Sequence, residues 1–431
     1  MLHRLRGLAR SAIIAGGVMI MNITTYGLTL VAARALGPED FGEFSAVLGA
    51  LIILNVLSLG LQSTAARRIA HHPGAQAETT LQVLRVTLLC AVGVGAIGAA
   101  LAPLTARVLE LQSPLTAVAL AIAAALLTVM GGVAGVLQGE ERWLPLGLVY
   151  TSMGVSRLLV GIGAVLIAST ALSLAAAVAA AAAVPVAVGF TALRRTGTVG
   201  ARSPEGAEPD DLPEHSLWRE VAHNSHALLA FFTLSNMDIV VARSLIPDGE
   251  AGLYAAGLIL TKAVLFFPQF VVVVAFPKMV KRAAGRRTDI LGLSVVGLLG
   301  LCATTLVALA LPLALEFVGG GQYHEIERSL PLFAMVGTVL AMTQLLVYSA
   351  IAGRHPRAVW LLWAGALAFL ALATTADTAL ELLHSKLALD VGLLLVLAGY
   401  VLTAPKPEVE AHTYDPVLIE DTASPEQPPV R

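Results

Sequence analysis

Residues 31–46 read VAARALGPEDFGEFSA: one apolar run ends, a tight polar turn follows at Gly37 and Pro38, and a second apolar run starts. Residues 240–256 read VVARSLIPDGEAGLYAA, which is the same pattern again. Arg34, Leu36 and Pro38 match Arg243, Leu245 and Pro247 at an offset of 209. After the turn the offset is 210, so Gly42 matches Gly252 and Phe44 matches Tyr254. A repeat of this length marks duplicated halves, each opening on the same helical hairpin.

The material between and around the two copies is apolar. Of 431 residues, 57% are hydrophobic and 13% charged, with a mean hydropathy of +0.81. Soluble domains carry about 25% charged residues. Several apolar runs reach the roughly 18 residues that cross a bilayer as a helix. A β-barrel would show strands of about 10 residues with alternating polarity instead. The pattern predicts an all-α polytopic membrane protein with about 12 transmembrane helices, at 11–35, 44–66, 81–103, 115–138, 146–168, 171–193, 220–244, 252–277, 289–317, 330–352, 358–374 and 386–403. MLHRLRGLAR ahead of a long apolar run is read as the start of a retained first helix, since no small-residue cleavage site follows. Cys90 and Cys302 lie inside apolar runs, where a small buried hydrophobe is expected rather than a disulfide or a metal pair.

An even span count puts both termini on one side, and the basic residues choose it. Arg4, Arg6 and Arg10, the pair Arg67–Arg68, the segment Arg194–Arg219 and the segment Lys278–Arg287 all fall on the side of the termini. The opposite loops hold Arg107 and Arg328, with Arg34, Arg243 and Lys386 at helix ends facing that way. The positive-inside rule then places both termini in the cytoplasm of a cell-membrane protein. Residues 194–219, rich in Pro, Glu, Asp and Ser, read as a cytoplasmic linker between six-helix lobes at 1–193 and 220–403. Six spans per lobe make the repeat parallel, related by an axis along the membrane normal. Residues 404–431 read as a disordered acidic cytoplasmic tail.

Charges inside spans carry the functional signal. Arg157 lies eleven residues into span five and Lys262 ten residues into span eight, about 16 and 15 Å along their helices. Both are near the middle of a core about 30 Å thick. A central Arg or Lys costs about 2.5–3.5 kcal/mol on insertion scales, so each needs a reason. Two readings are open. Asp238, on the neighbouring arm of the second hairpin, pairs with Lys262 as a structural salt bridge; or Arg157 and Lys262, net +1 after Asp238, line a water-filled cavity that receives an anion. Arg34 and Arg243 are read as interface anchors beside the turn or as the outer rim of a cationic path. Asn22, Asn55, Gln62, Asn224, Gln269 and Gln344 line the same cavity or bond between helices. Glu316 and Asp390 are read as solvated carboxylates near outer helix ends. Pro185, Pro268, Pro277, Pro312 and Pro331 are placed to kink or end helices.

Several classes are excluded. His223 and His226 have no third ligand at metal spacing, so no metal site is expected. No phosphate loop ending in Gly-Lys-Ser/Thr appears, and no nucleophile–base constellation stands out. No cofactor, nucleic-acid partner or enzymatic activity is expected; the reading is a transporter.

RALGPEDFGEFS with the following GLQSTAARRIA, and ARSLIPDGEAGLYAA with FFPQFVVVVAFP, resemble the polysaccharide flippase family, Wzx-type proteins of the superfamily that also holds MATE multidrug exporters and lipid II flippases. The resemblance implies two pseudo-symmetric six-helix lobes around a central cavity. It also implies translocation of a polyprenyl-pyrophosphate-linked oligosaccharide, or another anionic lipid, by alternating access, with other glycan-assembly membrane proteins as partners. A pyrophosphate needs cations in a low-dielectric site, which Arg157 and Lys262 would supply. Rival readings are a MATE-like exporter of small cations, which needs a net acidic cavity, a membrane-embedded glycan polymerase or ligase, which needs a large outer loop, and a scaffold working through the tail. Sequence leaves the coupling ion open.

Overall fold

A computed structural model describes residues 2–71, 76–195, 214–280, 286–352 and 356–403. The expected linker lies outside them but for its ends, as do the tail and the side chains of His223, Asn224 and Gln269. Every regular element among the described residues is helical. The first half holds α1 (Leu2–Ala35), α2 (Pro38–Leu54), α3 (Val56–His71), α4 (Gln76–Ala100), α5 (Ala102–Val108), α6 (Pro114–Gly139), α7 (Trp143–Ile167) and α8 (Ala171–Arg195). The second holds α9 (Glu214–Leu245), α10 (Asp248–Val280), α11 (Arg286–Leu309), α12 (Leu311–Val318), a 3₁₀ stretch at Gly321–Ser329, α13 (Leu330–Ala352), α14 (Pro356–Ala373) and α15 (Ala379–Thr403).

Helices lie at all twelve expected positions, and among the described residues ten are long and apolar enough to cross a membrane. The other two are α10, whose described half carries Asp248, Glu250 and Lys262, and the shorter apolar helix Arg357–Ala373. Local chemistry explains the ends. Gly37 in extended geometry, Pro38 at the first helical position, and Glu39 and Asp40 in the first turn start α2 and complement its dipole. Asp248 and Glu250 do the same for α10. Ser113 caps α6 by accepting from the Leu115 N–H at 3.2 Å, with Pro114 behind it. Pro312 falls in the first turn of α12, just after the break at Ala310, whereas Pro185 sits inside an unbroken α8. The helix also runs unbroken through positions 268 and 277 of α10.

Packing repeats as the sequence does. In the first half α7 packs on α1 and α8, and α6 on α3, α4 and α8. In the second, α14 packs on α9 and α15, and α13 on α10, α11 and α15. The α4–α5 rod spans Gln76–Val108 and the α11–α12 rod Arg286–Val318, so the offset of 210 persists well past the hairpins. Matching glycines of the two hairpins meet between the halves. A Cβ on Gly42 would lie 3.1 Å from Gly252 Cα, and one on Gly252 only 2.0 Å from the Pro38 carbonyl oxygen. Close backbone approach there demands glycine on both sides.

One difference between the halves matters for the site. The second arm of the first hairpin is interrupted for one residue at Asn55, while its counterpart α10 continues without interruption. Backbone bonding bridges the interruption, with Asn55 N donating to Leu51 O at 2.9 Å and Leu59 N to Asn55 O at 3.2 Å.

Candidate functional site: a cavity between the halves

A cavity of about 670 Å³ lies between α1, α2 and α7 of the first half and α9 and α10 of the second. Its walls are mainly apolar. Among the described residues that line it, Arg157 and Lys262 are the only charged ones, and none is Asp or Glu.

Close packing positions Arg157. Gly147, Gly154 and Gly161 recur every seven residues along α7, on the side where α1 lies. A Cβ on Gly154 would stand 2.6 Å from Met21 Cα, and one on Gly161 2.3 Å from Leu28 Cδ1. These glycines draw α1 against α7, and Arg157, between the last two, faces the cavity beside it. Arg157 is 8% exposed and has no hydrogen bond or ion pair to any described residue. A buried guanidinium without an acceptor is costly.

Lys262 is held differently. Its Nζ donates to Ser235 O at 2.6 Å and to Asn236 Oδ1 at 2.8 Å, both on α9. Asn236 Nδ2 in turn donates to Phe232 O at 2.9 Å and to Ser235 Oγ at 3.1 Å. Asp238 is buried but stands outside the cavity lining and forms no ion pair with Lys262. Its Oδ1 accepts from the Ile239 N–H at 3.0 Å and its Oδ2 from the Tyr254 hydroxyl at 3.4 Å. Asp238 remains within electrostatic reach of Lys262.

Arg34 and Arg243 also stand outside the cavity lining. Each crosses to the opposite half. Arg34 Nη2 donates to Glu316 O in α12 at 2.7 Å. Arg243 Nη2 donates to Glu110 O at 2.8 Å and its Nε to Leu109 O at 3.3 Å, just beyond α5. Arg243 Nη1 further lies 2.6 Å from Asp248 Oδ1, an ion pair whose angle falls short of a hydrogen bond. Of the other polar candidates, Asn22, Asn55 and Gln344 line the cavity, while Gln62 donates to Gln138 Oε1 at 2.9 Å and to Tyr150 Oη at 2.6 Å between helices.

Two features corrected the sequence reading. Lys386 was expected at a helix end and Asp390 as a solvated carboxylate; instead α15 begins at Ala379, so Lys386 lies two turns inside it. Lys386 Nζ donates to Asp390 Oδ1 at 2.7 Å and Oδ2 at 2.6 Å, both side chains fully buried, 5.6 Å from the Phe369 ring centroid. The signal was present as an i, i+4 Lys–Asp pair in an apolar run. Glu43, buried on α2 and accepting from Gln112 N at 3.3 Å, went unremarked because it sits in the polar turn motif.

Residues 8–283 match the family described as polysaccharide biosynthesis protein. The chain belongs to that family. Its fold is that of the MOP superfamily of transporters. An inward-facing multidrug resistance MATE transporter superposes with a TM-score of 0.66 at 11% identity, covering 88% of this chain and 94% of its own. The lipid II flippase MurJ, in an inward closed conformation, gives 0.68 at 10% identity, covering 91% and 88%. A MOP superfamily transporter from Pyrococcus furiosus, described as having a binding pocket of reverse polarity, gives 0.57 at 13% identity, covering 92% and 97%. No curated protein matches the chain in sequence. As a family member with ten helices among the described residues long and apolar enough to cross a bilayer, the chain is a multi-pass membrane protein.

Proposed function

We propose that this protein moves a polyprenyl-phosphate- or pyrophosphate-linked oligosaccharide from the cytoplasmic to the outer leaflet of the cell membrane, with Arg157 holding the anionic head. The observation that carries the reading is a buried arginine without a partner among the described residues, in a cavity whose described lining holds no carboxylate. Such a site favours an anion and disfavours the cationic cargo of a drug exporter. The MurJ neighbour, a lipid II flippase, agrees with a lipid-linked substrate.

The seams between the halves support a path for the lipid. Among the described residues α9 packs broadly on α2 and α3, whereas its counterpart α1 only touches α10. A chain of isoprene units leaves the cavity through that loose α1–α10 seam and stays in hydrocarbon while the head is carried. The moving bodies are lobes 1–193 and 220–403, with both termini and the linker at 194–219 in the cytoplasm. The hairpin turns then face outward and close the outer end.

The test is flipping in proteoliposomes of a polyprenyl-pyrophosphate-linked oligosaccharide, read by leaflet accessibility of a label on the glycan. Arg157→Ala is expected to abolish flipping while the protein still reconstitutes. Wild-type flipping by Arg157→Ala overturns the anion-site reading.

A further inference from the structure

The duplicated hairpins allow the two walls of the cavity to be compared position by position. Across the repeat, Asn22 matches Phe231 at the offset of 209, while Ser45 matches Ala255 and Asn55 matches Leu265 at 210. All six line the cavity. At these three positions the first half carries polar side chains and the second apolar ones, whereas Asn236, lining the cavity opposite Gly27, reverses the pattern. Lys262 runs the other way, opposite Ile52, and its ammonium is already bonded twice to α9.

Hydrogen bonding divides the walls in the same way. On the second half, Lys262, Asn236 and Ser235 satisfy one another and the α9 backbone. On the first half, Asn22, Ser45, Asn55 and Arg157 make no side-chain bond to any described residue, and Asn55 Oδ1 is a buried atom without a partner. A buried amide oxygen without a partner, as at Asn55, costs about 1–3 kcal/mol, and a buried charge without an acceptor costs more. Asn55 also occupies the single interruption of α2–α3, a departure from the repeat at the cavity wall. Three groups on one wall without a side-chain partner among the described residues, one cationic and two amide, match a ligand in which an anion is joined to a neutral group rich in donors and acceptors.

We infer that the head-group receptor belongs to the N-terminal half alone: Arg157 takes the phosphate and Asn22 and Asn55 take hydroxyl or amide groups of the first sugar attached to it. This rests on the anion-binding reading above and adds that the protein distinguishes a glycosylated lipid from the bare lipid phosphate. The C-terminal wall is apolar at Phe231, Ala255 and Leu265, and its polar lining residues Ser235, Asn236 and Lys262 are engaged with one another. Lys262 ties α10 to α9 and leaves the head group to the other wall. An amide suits a sugar because it donates and accepts at once, and a site built to pair such groups rejects a ligand lacking them.

The test measures binding of the full chain in nanodiscs to two probes, a short-chain polyprenyl pyrophosphate and the same lipid bearing one N-acetylated hexose. Asn55→Leu, which installs the residue found at the matching position of the second half, and Asn22→Ala are each expected to weaken the glycosylated probe about tenfold and the bare probe less than about twofold. Arg157→Ala is expected to weaken both at least about thirtyfold, and Lys262→Met either by less than about threefold. Thermal unfolding of each variant in the same nanodiscs separates loss of binding from loss of fold. Equal weakening of both probes by the Asn variants, or a Lys262→Met loss as large as that of Arg157→Ala, overturns the one-sided receptor and leaves the anion site standing. Wild-type binding of both probes by Arg157→Ala overturns the anion site itself.

Discussion

Arg34 and Arg243 stand at matching positions of the two hairpins, and each bonds backbone carbonyl oxygen in the opposite half, Glu316 O of α12 for Arg34 and Glu110 O just beyond α5 for Arg243. Guanidinium groups are suited to this, since carbonyls at a helix end carry partial negative charge and the fork can reach two of them. With the Gly42–Gly252 contact beside them, the two arginines form a reciprocal latch at the turn end of the molecule. Neither acts on the cavity directly.

Opening the turn end must break both arms of this latch. In a background with Cys90 and Cys302 replaced, Ser45→Cys reports on the cavity from within. Adding Arg34→Ala and Arg243→Ala is expected to raise the rate of labelling by a membrane-impermeant thiol reagent applied from outside severalfold. An unchanged rate would show that the latch does not govern access. The arms should differ in stability. Arg243 is buried and bonded three ways, so its loss is expected to cost about 2–4 kcal/mol, against under about 1 kcal/mol for the exposed Arg34.

Gly252 is the tighter member of the glycine contact: a Cβ at either glycine meets backbone, which cannot turn away, but the one on Gly252 comes closer. Gly252→Ala is expected to separate the hairpins, lower stability by about 1–3 kcal/mol and reduce flipping. Gly249, three residues earlier with nothing within 4 Å of its Cβ position, is the control, and its Ala variant is expected to behave as wild type. Thermal unfolding of the two variants side by side decides it.

The Lys386–Asp390 pair is fully buried, so each charge depends on the other. Asp390→Leu alone is expected to destabilise by about 3–5 kcal/mol, and Lys386→Met with Asp390→Leu by far less. A double-mutant cycle in thermal unfolding reads the coupling. Additive losses would mean that the two side chains do not sustain each other.

How far these features were legible depended on whether they are local. The hairpin repeat is written in adjacent residues, Arg34 to Gly42 against Arg243 to Gly252, and it gave the paired architecture directly. The depth of Arg157 follows from counting along one helix. The latch does not, because Arg34 and Glu316 are brought together by the packing of different halves. Lys386 reads as a helix-end residue of a span that starts at 386, whereas α15 opens at Ala379 and carries Glu381 in its first turn. Burial of the pair needed the Phe369 wall of α14, which no local pattern announces. The unequal status of Arg157 and Lys262, alike in depth, turned on whether a neighbouring helix offered acceptors.

The partner of Lys262 is the remaining choice between the two sequence readings. Asp238 is near enough to act on Lys262 through space, but the direct acceptors are Ser235 O and Asn236 Oδ1. Hydrogen bonds to a charged group are worth about 1.5–3 kcal/mol, and the two that hold Lys262 tie α10 to α9 beside the cavity. Lys262→Met and Asn236→Ala are therefore expected to be strongly non-additive in stability, since either change removes the Nζ–Oδ1 bond they share. Lys262→Met with Asp238→Asn should lie closer to additivity, because their interaction passes through intervening atoms rather than a shared bond. Parallel double-mutant cycles in thermal unfolding compare the two pairs. A larger coupling for Asp238 than for Asn236 would restore the salt bridge as the reason a lysine stands at this depth.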